Sequence, residues 1–205
     1  MELLAVTLVH TLPGRNADVL ARVRLISDTV RNTPGLITSR FYRNRGNAPY
    51  YFMLTTWHDE ESWLKARQRY DPKHLLLTTA LEVLTSSPQQ WLMHYLWGYS
   101  RPAVTPVVAA AHLANIRSDQ AGYAQKRYIE GLRRHCAQST LAFAFLARGT
   151  HEESVANQHD IILLSLFSWG SEDEREQFYA DAHYQAVHKF ISKLGTVQIF
   201  PLEPM

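Results

Sequence analysis

The stretch AHYQAVHKF, residues 182–190, sets His183 and His188 five positions apart. An imidazole titrates near neutrality, so either ring suits removal of a phenolic or activated C–H proton. Either could also hold a metal. On a helix, however, five positions separate two side chains by roughly 140°. The rings then do not share a face, as a His-x-x-x-His metal clamp requires. The bland reading of each is a half-buried ring bonded to a backbone carbonyl. A third histidine, His112, lies inside VVAAAHLANI (107–116), an apolar run in which a polar ring is costly without a partner. It either faces a pocket, with Tyr184 or His188 across from it, or is a satisfied core residue.

Aromatic residues accompany these histidines. Phe178, Tyr179 and Tyr184 could wall a pocket, though Tyr184 could equally be a surface residue. Trp169 could stack on a substrate; packing at a strand end also explains Trp169 and its counterpart Trp57. Arg40, Arg43 and Arg45 could hold a carboxylate or carbonyl, or line a solvated strand edge. The single cysteine, Cys136, has no recognisable catalytic setting. There is no glycine-rich phosphate loop, Cys-x-x-Cys pair or nucleophile elbow, so dinucleotide and flavin cofactors have no support. No convincing metal-ligand set is present either.

The elements that must position these side chains come in two similar series. LLAVTLVH (3–10) reads as a strand, and Asn16 as the N-cap of a helix from Ala17 to Asn32, with Val19, Leu20, Val23, Ile26 and Val30 at helical spacing. Strands at 36–45 and 50–57 flank the turn signal GNAP. Helices follow from Asp59, interrupted at Asp71-Pro72 and running on to Leu84, and then a strand at 89–97. After GYSRPAVTP the order repeats: strand 107–116, helix 118–135, strands 139–149 and 160–169 around a longer loop, THEESVANQH, helix 171–194 and strand 196–200. Asn16 and Asp119 lie 103 apart, as do Arg45-Gly46 and Arg148-Gly149, whereas Trp57 and Trp169 lie 112 apart because the second hairpin loop is longer. Two copies of a β-α-β-β-α-β unit are expected, at 1–97 and 105–205 with a linker at 98–104. That is an α+β, ferredoxin-like repeat. Runs such as AFAFLA and IILLSLF are apolar on both sides, so both sheet faces must be covered. Helices would cover one face and the other repeat's sheet the second, giving a pseudo-dimeric barrel within one chain.

Composition narrows the classes. Of 205 residues, 46% are hydrophobic and 20% charged, an ordinary globular balance with material for a core. The formal charge is +2 with basic residues dispersed, which argues against nucleic acid as a partner. One cysteine excludes an internal disulfide and fits a reducing compartment. MELLAVTLVHTLPG has Glu2 where a signal peptide needs a positive residue, and nothing approaches the ~18 apolar residues of a membrane span. A cytoplasmic, membrane-free protein is expected.

The segment WGSEDEREQFYADAHYQAVHKF, Trp169 to Phe190, resembles the strand-end tryptophan, acidic helix start and paired histidines of the antibiotic biosynthesis monooxygenase (ABM) family, within the dimeric α+β barrel superfamily. The first half carries a weaker version, Trp57, DEES, Trp63 and RYDPKH, in which His74 matches His188, Tyr70 matches Tyr184 and Arg69 stands in place of His183. The resemblance spans the chain as a tandem pair. It implies a cofactor-independent monooxygenase that oxidises an aromatic polyketide, anthrone or quinol-like molecule with dioxygen. His188 is then the general base, with His183 and His112 as further catalytic candidates. Trp169, Phe178, Tyr184 and His74 are the substrate-binding candidates. An isomerase or cyclase on the same scaffold is the alternative, as is a protein that binds haem or another planar ligand. The family's haem-degrading branch has an Asn on the first strand, a Trp on the second helix and a His beyond it. Here the first two positions fall at Thr7 and about Ala111, and at Ala66 and Phe178, so only the histidine is kept, at His188 and His74. The second half, with the fuller motif, is expected to hold the one working pocket, and the tandem chain could pair further as a homodimer.

Overall fold

A computed structural model describes residues 1–46, 49–136, 141–151 and 160–205. The chain divides into two compact units, one formed by Met1–His94 with His151 and Met205, the other by Tyr95–Thr150 with residues 160–204. The first contains β1 (Leu3–His10), α1 (Asn16–Arg31), β2 (Leu36–Asn44), β3 (Tyr50–Trp57), α2 (Glu60–Tyr70), α3 (Pro72–Thr79), a 3-10 turn at Leu81–Val83 and the start of β4 (Gln89–Ser100). Its antiparallel sheet has the order β4-β1-β3-β2. The second contains β5 (Val108–Arg117), α4 (Ser118–Cys136), β6 (Leu141–His151), β7 (Asp160–Trp169), α5 (Glu172–Ala180), α6 (Ala182–Leu194) and β8 (Gly195–Pro204), in the order β8-β5-β7-β6. In each unit, therefore, the last strand flanks the first and the third strand lies inside, the ferredoxin-like α+β arrangement.

Periodicity explains the core. In α1, Val19, Val23, Ile26 and Val30 repeat at four, three and four residues, which places them on one face. They pack on Val9, Phe41, Tyr51 and Met53. Each such aliphatic side chain stabilises the fold by about 1.5–3 kcal/mol relative to exposure. In the second unit Ala124, Tyr128, Leu132 and Cys136 of α4 cover Val108, Ala110, Ala114 and Ile116 of β5, and Phe167 and Trp169 of β7. β1 is buried on both faces, Leu4 and Val6 as fully as Leu3 and Ala5.

Several boundaries move. α1 starts at Asn16 with Arg15 as N-cap residue, so the expected Asn16 cap shifts by one. The helix expected to reach Leu84 ends at Thr79 in a 3-10 turn, and β4 continues to Ser100 through the start of the expected linker. Residues 47–48, 137–140 and 152–159 lie outside the described residues, and with them most of the expected long loop and the start of the strand expected from 139. The single helix expected over 171–194 is two, broken at Asp181. Asp181 closes α5 and caps α6, its Oδ1 accepting from the Tyr184 N–H at 2.9 Å. Asp71 does the same between α2 and α3, accepting from the Lys73 and His74 N–H groups. An extended Asp whose carboxylate takes the free N–H groups of the next helix ends one helix and starts another.

That shared break corrects the alignment of the two halves. Counting from Asp71 and Asp181, His74 is the counterpart of Tyr184, not of His188. The strand register corrects a second pairing. Leu3 stands opposite Trp57 and Val108 opposite Trp169, so Thr7 corresponds to His112 rather than to Ala111.

Candidate functional site

His112 is in the middle of β5, opposite Ser165 of β7, with its ring on the helix-covered face. α5 and α6 bring two phenols to it. Tyr179 Oη lies 2.9 Å from His112 Nε2, and Tyr184 Oη lies 3.2 Å from His112 Nδ1. The break at Asp181 is what lets both reach it, because it re-aims the chain between Tyr179 and Tyr184. Beside them Tyr128 Oη of α4 and Ser165 Oγ are 2.6 Å apart. His112, Tyr184 and Tyr128 are buried, whereas Tyr179 is half-buried. The chain Tyr179–His112–Tyr184 thus leads from the unit's surface into its interior.

Burial sets the protonation of this group. Burial pushes the pKa of His112 from 6.5 down to about 3, and the nearby His188 adds to the effect. Burial raises Tyr184 and Tyr179 well above the ordinary phenol value and pushes Tyr128 up to about 12. At neutral pH the imidazole is therefore uncharged and all three phenols keep their protons. A neutral imidazole has one N–H and one lone pair. It accepts from one of its two tyrosines and donates to the other, and the tyrosine that accepts retains an O–H proton to offer elsewhere.

His188, one turn beyond Tyr184 on α6, has its ring centroid 5.9 Å from that of Tyr184 and 6.1 Å from that of His112. Its Nε2 is buried and has no hydrogen-bond partner. The Trp169 indole N–H is likewise buried and unpartnered. Trp169, Phe178, Tyr184 and His188 form a continuous row of rings, with successive centroids 5.1, 4.5 and 5.9 Å apart. Buried polar atoms are seldom left without partners, and this row has one at each end, an indole donor and an imidazole nitrogen.

The equivalent place in the first unit is filled differently. Gln90 Nε2 donates to Thr7 Oγ1 at 3.1 Å and to Asp71 Oδ1 at 2.8 Å, and Trp63 Nε1 reaches the same carboxylate oxygen at 3.4 Å. The Trp57 indole donates to Thr55 Oγ1 at 3.0 Å, whereas Phe167, two residues before Trp169, offers no acceptor. Gln90 Oε1 is the atom left over in that network. An under-used amide oxygen is a lesser anomaly than an unmade donor.

The structure brings together His112, His188, Tyr184, Phe178 and Trp169. It sets His183 apart: exposed on the outer side of α6, that ring lines a cleft between α4 and α6. His74 belongs to the other unit, in the first turn of α3. Arg40, Arg43 and Arg45 are on β2 and just beyond it, also in the first unit. Cys136 is buried, and burial pushes its thiol up to about 12, leaving it protonated. Among the described residues no cluster of His, Cys, Asp and Glu could hold a metal ion, and no helix is long and apolar enough to cross a membrane. Sequence reasoning missed Tyr128 and Ser165. Tyr128 keeps helical spacing with Ala124 and Leu132, so it reads as ordinary core. The acidic start SEDE has a structural role: Ser171 Oγ accepts from the Glu174 N–H at 3.2 Å, and Glu174 Oε2 accepts from the Gly170 N–H at 2.8 Å, a reciprocal cap.

Residues 3–74 match the family model described as Antibiotic biosynthesis monooxygenase. The match lies in the half whose motif is the weaker, and covers about a third of the chain. No curated protein shows a significant match. Among solved structures, an anthrone oxidase-like protein is similar over 100% of this chain and 91% of its own, with a TM-score of 0.79 and 12% identity. A presumed monooxygenase from Fusobacterium nucleatum covers 99% and 92%, with a TM-score of 0.75 and 6% identity. A major regulator of staphylococcal pathogenesis covers 100% of both chains, with a TM-score of 0.59 and 11% identity. These likenesses establish the fold; the last shows that the fold also serves a protein described by regulation and not by catalysis.

Proposed function

We propose that the two units are tandem copies of one repeat, and that the second is a cofactor-independent monooxygenase acting on an anthrone- or quinol-like aromatic substrate. The observation that carries this reading is the unpartnered, buried Nε2 of His188 beside the Tyr179–His112–Tyr184 chain. His188 is the general base and removes a proton from the activated substrate carbon. The carbanion, delocalised over the aromatic system, passes electrons to dioxygen. Recombination and protonation give a hydroperoxide, and loss of water gives the ketone. In balance, one methylene group and one dioxygen molecule become one carbonyl group and one water molecule. His112, held neutral, is a poor base; it holds Tyr184, and the spare phenol proton of the chain stabilises the developing oxyanion. The Trp169 N–H suits a substrate carbonyl. Support also comes from the match of residues 3–74 to the ABM family model and from the likeness to the anthrone oxidase-like structure.

Oxygen uptake by metal-stripped protein, with a panel of anthrones and hydroquinones, tests the proposal. His188→Gln should lower uptake by about 10²–10⁴-fold, the usual contribution of a general base, while His183→Ala should leave it nearly unchanged. Uptake independent of His188 would sink the assignment. Turnover of the panel under anaerobic conditions would point to an isomerase or cyclase. The haem reading needs the same nitrogen as an axial ligand instead of a base, and the cofactor-free proposal sets it aside. A Soret shift on haem addition that His188→Gln abolishes would restore it.

A further inference from the structure

The outer face of α6 has a different character from its inner face. Tyr123, Arg127, Glu130, Gly131 and Arg134 repeat along one side of α4 at intervals of four, three, one and three, and His183, Ala186, Val187 and Phe190 do so on α6. Two contacts fix how these helices run. The Tyr123 and Phe190 rings meet edge to face with centroids 5.5 Å apart, and Gly131 lies so close to Val187 that a Cβ there would be 2.3 Å from Val187 Cγ2. Going up α4 therefore means going down α6, which puts the Tyr123–Phe190 pair at one end and Arg134 beside His183 at the other. Between the helices lies a cleft of about 230 Å³ lined by Arg127, Glu130, Gly131, Arg134, His183, Ala186, Val187 and Phe190. Its floor is apolar and its rim is basic. Glu130 is the one carboxylate, and Arg127 lies 3.6 Å from it. Two guanidiniums against one carboxylate leave the rim positive whatever the state of His183.

We infer that this cleft is a second ligand site, for a small aromatic carboxylate. The volume is below the ~300–1,000 Å³ usual for larger ligands, which limits the occupant to one or two rings. A flat ring would lie on Val187 and Phe190 beside Tyr123, with its carboxylate toward the forked donors of Arg134 and the His183 ring, a match of charge and of shape. The site stands independently of the proposed chemistry: it shares α6 with Tyr184 and His188 but none of their atoms.

The test is titration of the full chain with 1-naphthoate, followed by calorimetry and by the methyl resonances of Ala186 and Val187. Saturable binding that shifts those methyls is expected. Arg134 is exposed, so Arg134→Ala should fold normally and bind about five- to tenfold more weakly, and the neutral analogue 1-naphthalenemethanol should bind at least as poorly. Raising salt should weaken naphthoate and not the alcohol. Equal affinity in Arg134→Ala, equal affinity for the alcohol, shifts confined to other parts of the unit, or no binding at several millimolar naphthoate would each overturn the inference.

Discussion

The neutral state of His112 has a consequence for stability that can be measured without any substrate. In the unfolded chain this histidine takes up a proton near pH 6.5, while in the folded unit it does so only near pH 3. Below pH 6.5 the unfolded state therefore binds a proton that the native state refuses. Stability contributed by the neutral ring is whole above the unfolded pKa and is lost as pH falls toward the folded one. The slope is about 1.4 kcal/mol per pH unit, so the loss between pH 7 and pH 5 is about 2 kcal/mol. Other histidines titrate over the same interval, so the informative quantity is a difference. Urea unfolding of the wild type and of His112→Gln at both pH values should show the wild type losing about 2 kcal/mol more than the variant. The ¹⁵N shifts of the His112 ring should meanwhile stay those of a single neutral tautomer down to pH 5. Equal losses in the two proteins, or an imidazolium signal at pH 5.5, would refute the argument that burial between two phenols holds this ring uncharged.

Other outcomes follow from the same geometry. Tyr184→Phe leaves His112 Nδ1 buried without its partner and should destabilise the chain by about 1–3 kcal/mol, whereas Tyr179→Phe, at a position water can reach, should cost less than about 1 kcal/mol; chemical denaturation compares them. Asp71→Ala removes the acceptor for Gln90, Trp63 and two backbone N–H groups at once, and should cost about 3 kcal/mol or more by the same measurement. Gly195→Ala would bring a Cβ to 1.8 Å from the Asn115 carbonyl oxygen, so it should lower the melting temperature and speed amide exchange at the β5–β8 ladder, while Gly14→Ala, with nothing within 4 Å, should leave that ladder alone.

Much of the fold was legible because hydrophobic period is a local signal. The α1 stripe and the strand runs LLAVTLVH and YYFMLTTW mark their elements directly, and the repeated order gives the α+β class. The break at Asp181 was harder. Nothing apolar changes there, and the event is one carboxylate turning back on an N–H three residues on, written only as a lone Asp in a helical pattern. The same Asp stood visibly before Pro72 in the first half, where proline advertises the break. The site was half legible. His112, Tyr184 and His188 announce themselves as polar or aromatic groups in apolar surroundings. That Tyr179 and Tyr184 grip opposite nitrogens of one ring is a tertiary fact, dependent on the helix break. Ser165 is small and strand-borne, and only the register opposite His112 makes it part of the group.

The strand register matters beyond the candidate site. The same place in two like units holds Thr7 in one and His112 in the other. An assembly of two identical chains must repeat every residue at both of its equivalent places, so any change that improves one damages or alters its twin. A chain that carries both units is free of that constraint. Thr7 can be tied to Gln90 and Asp71 while His112 is held between two tyrosines. Covalent connection lets two like units differ one residue at a time.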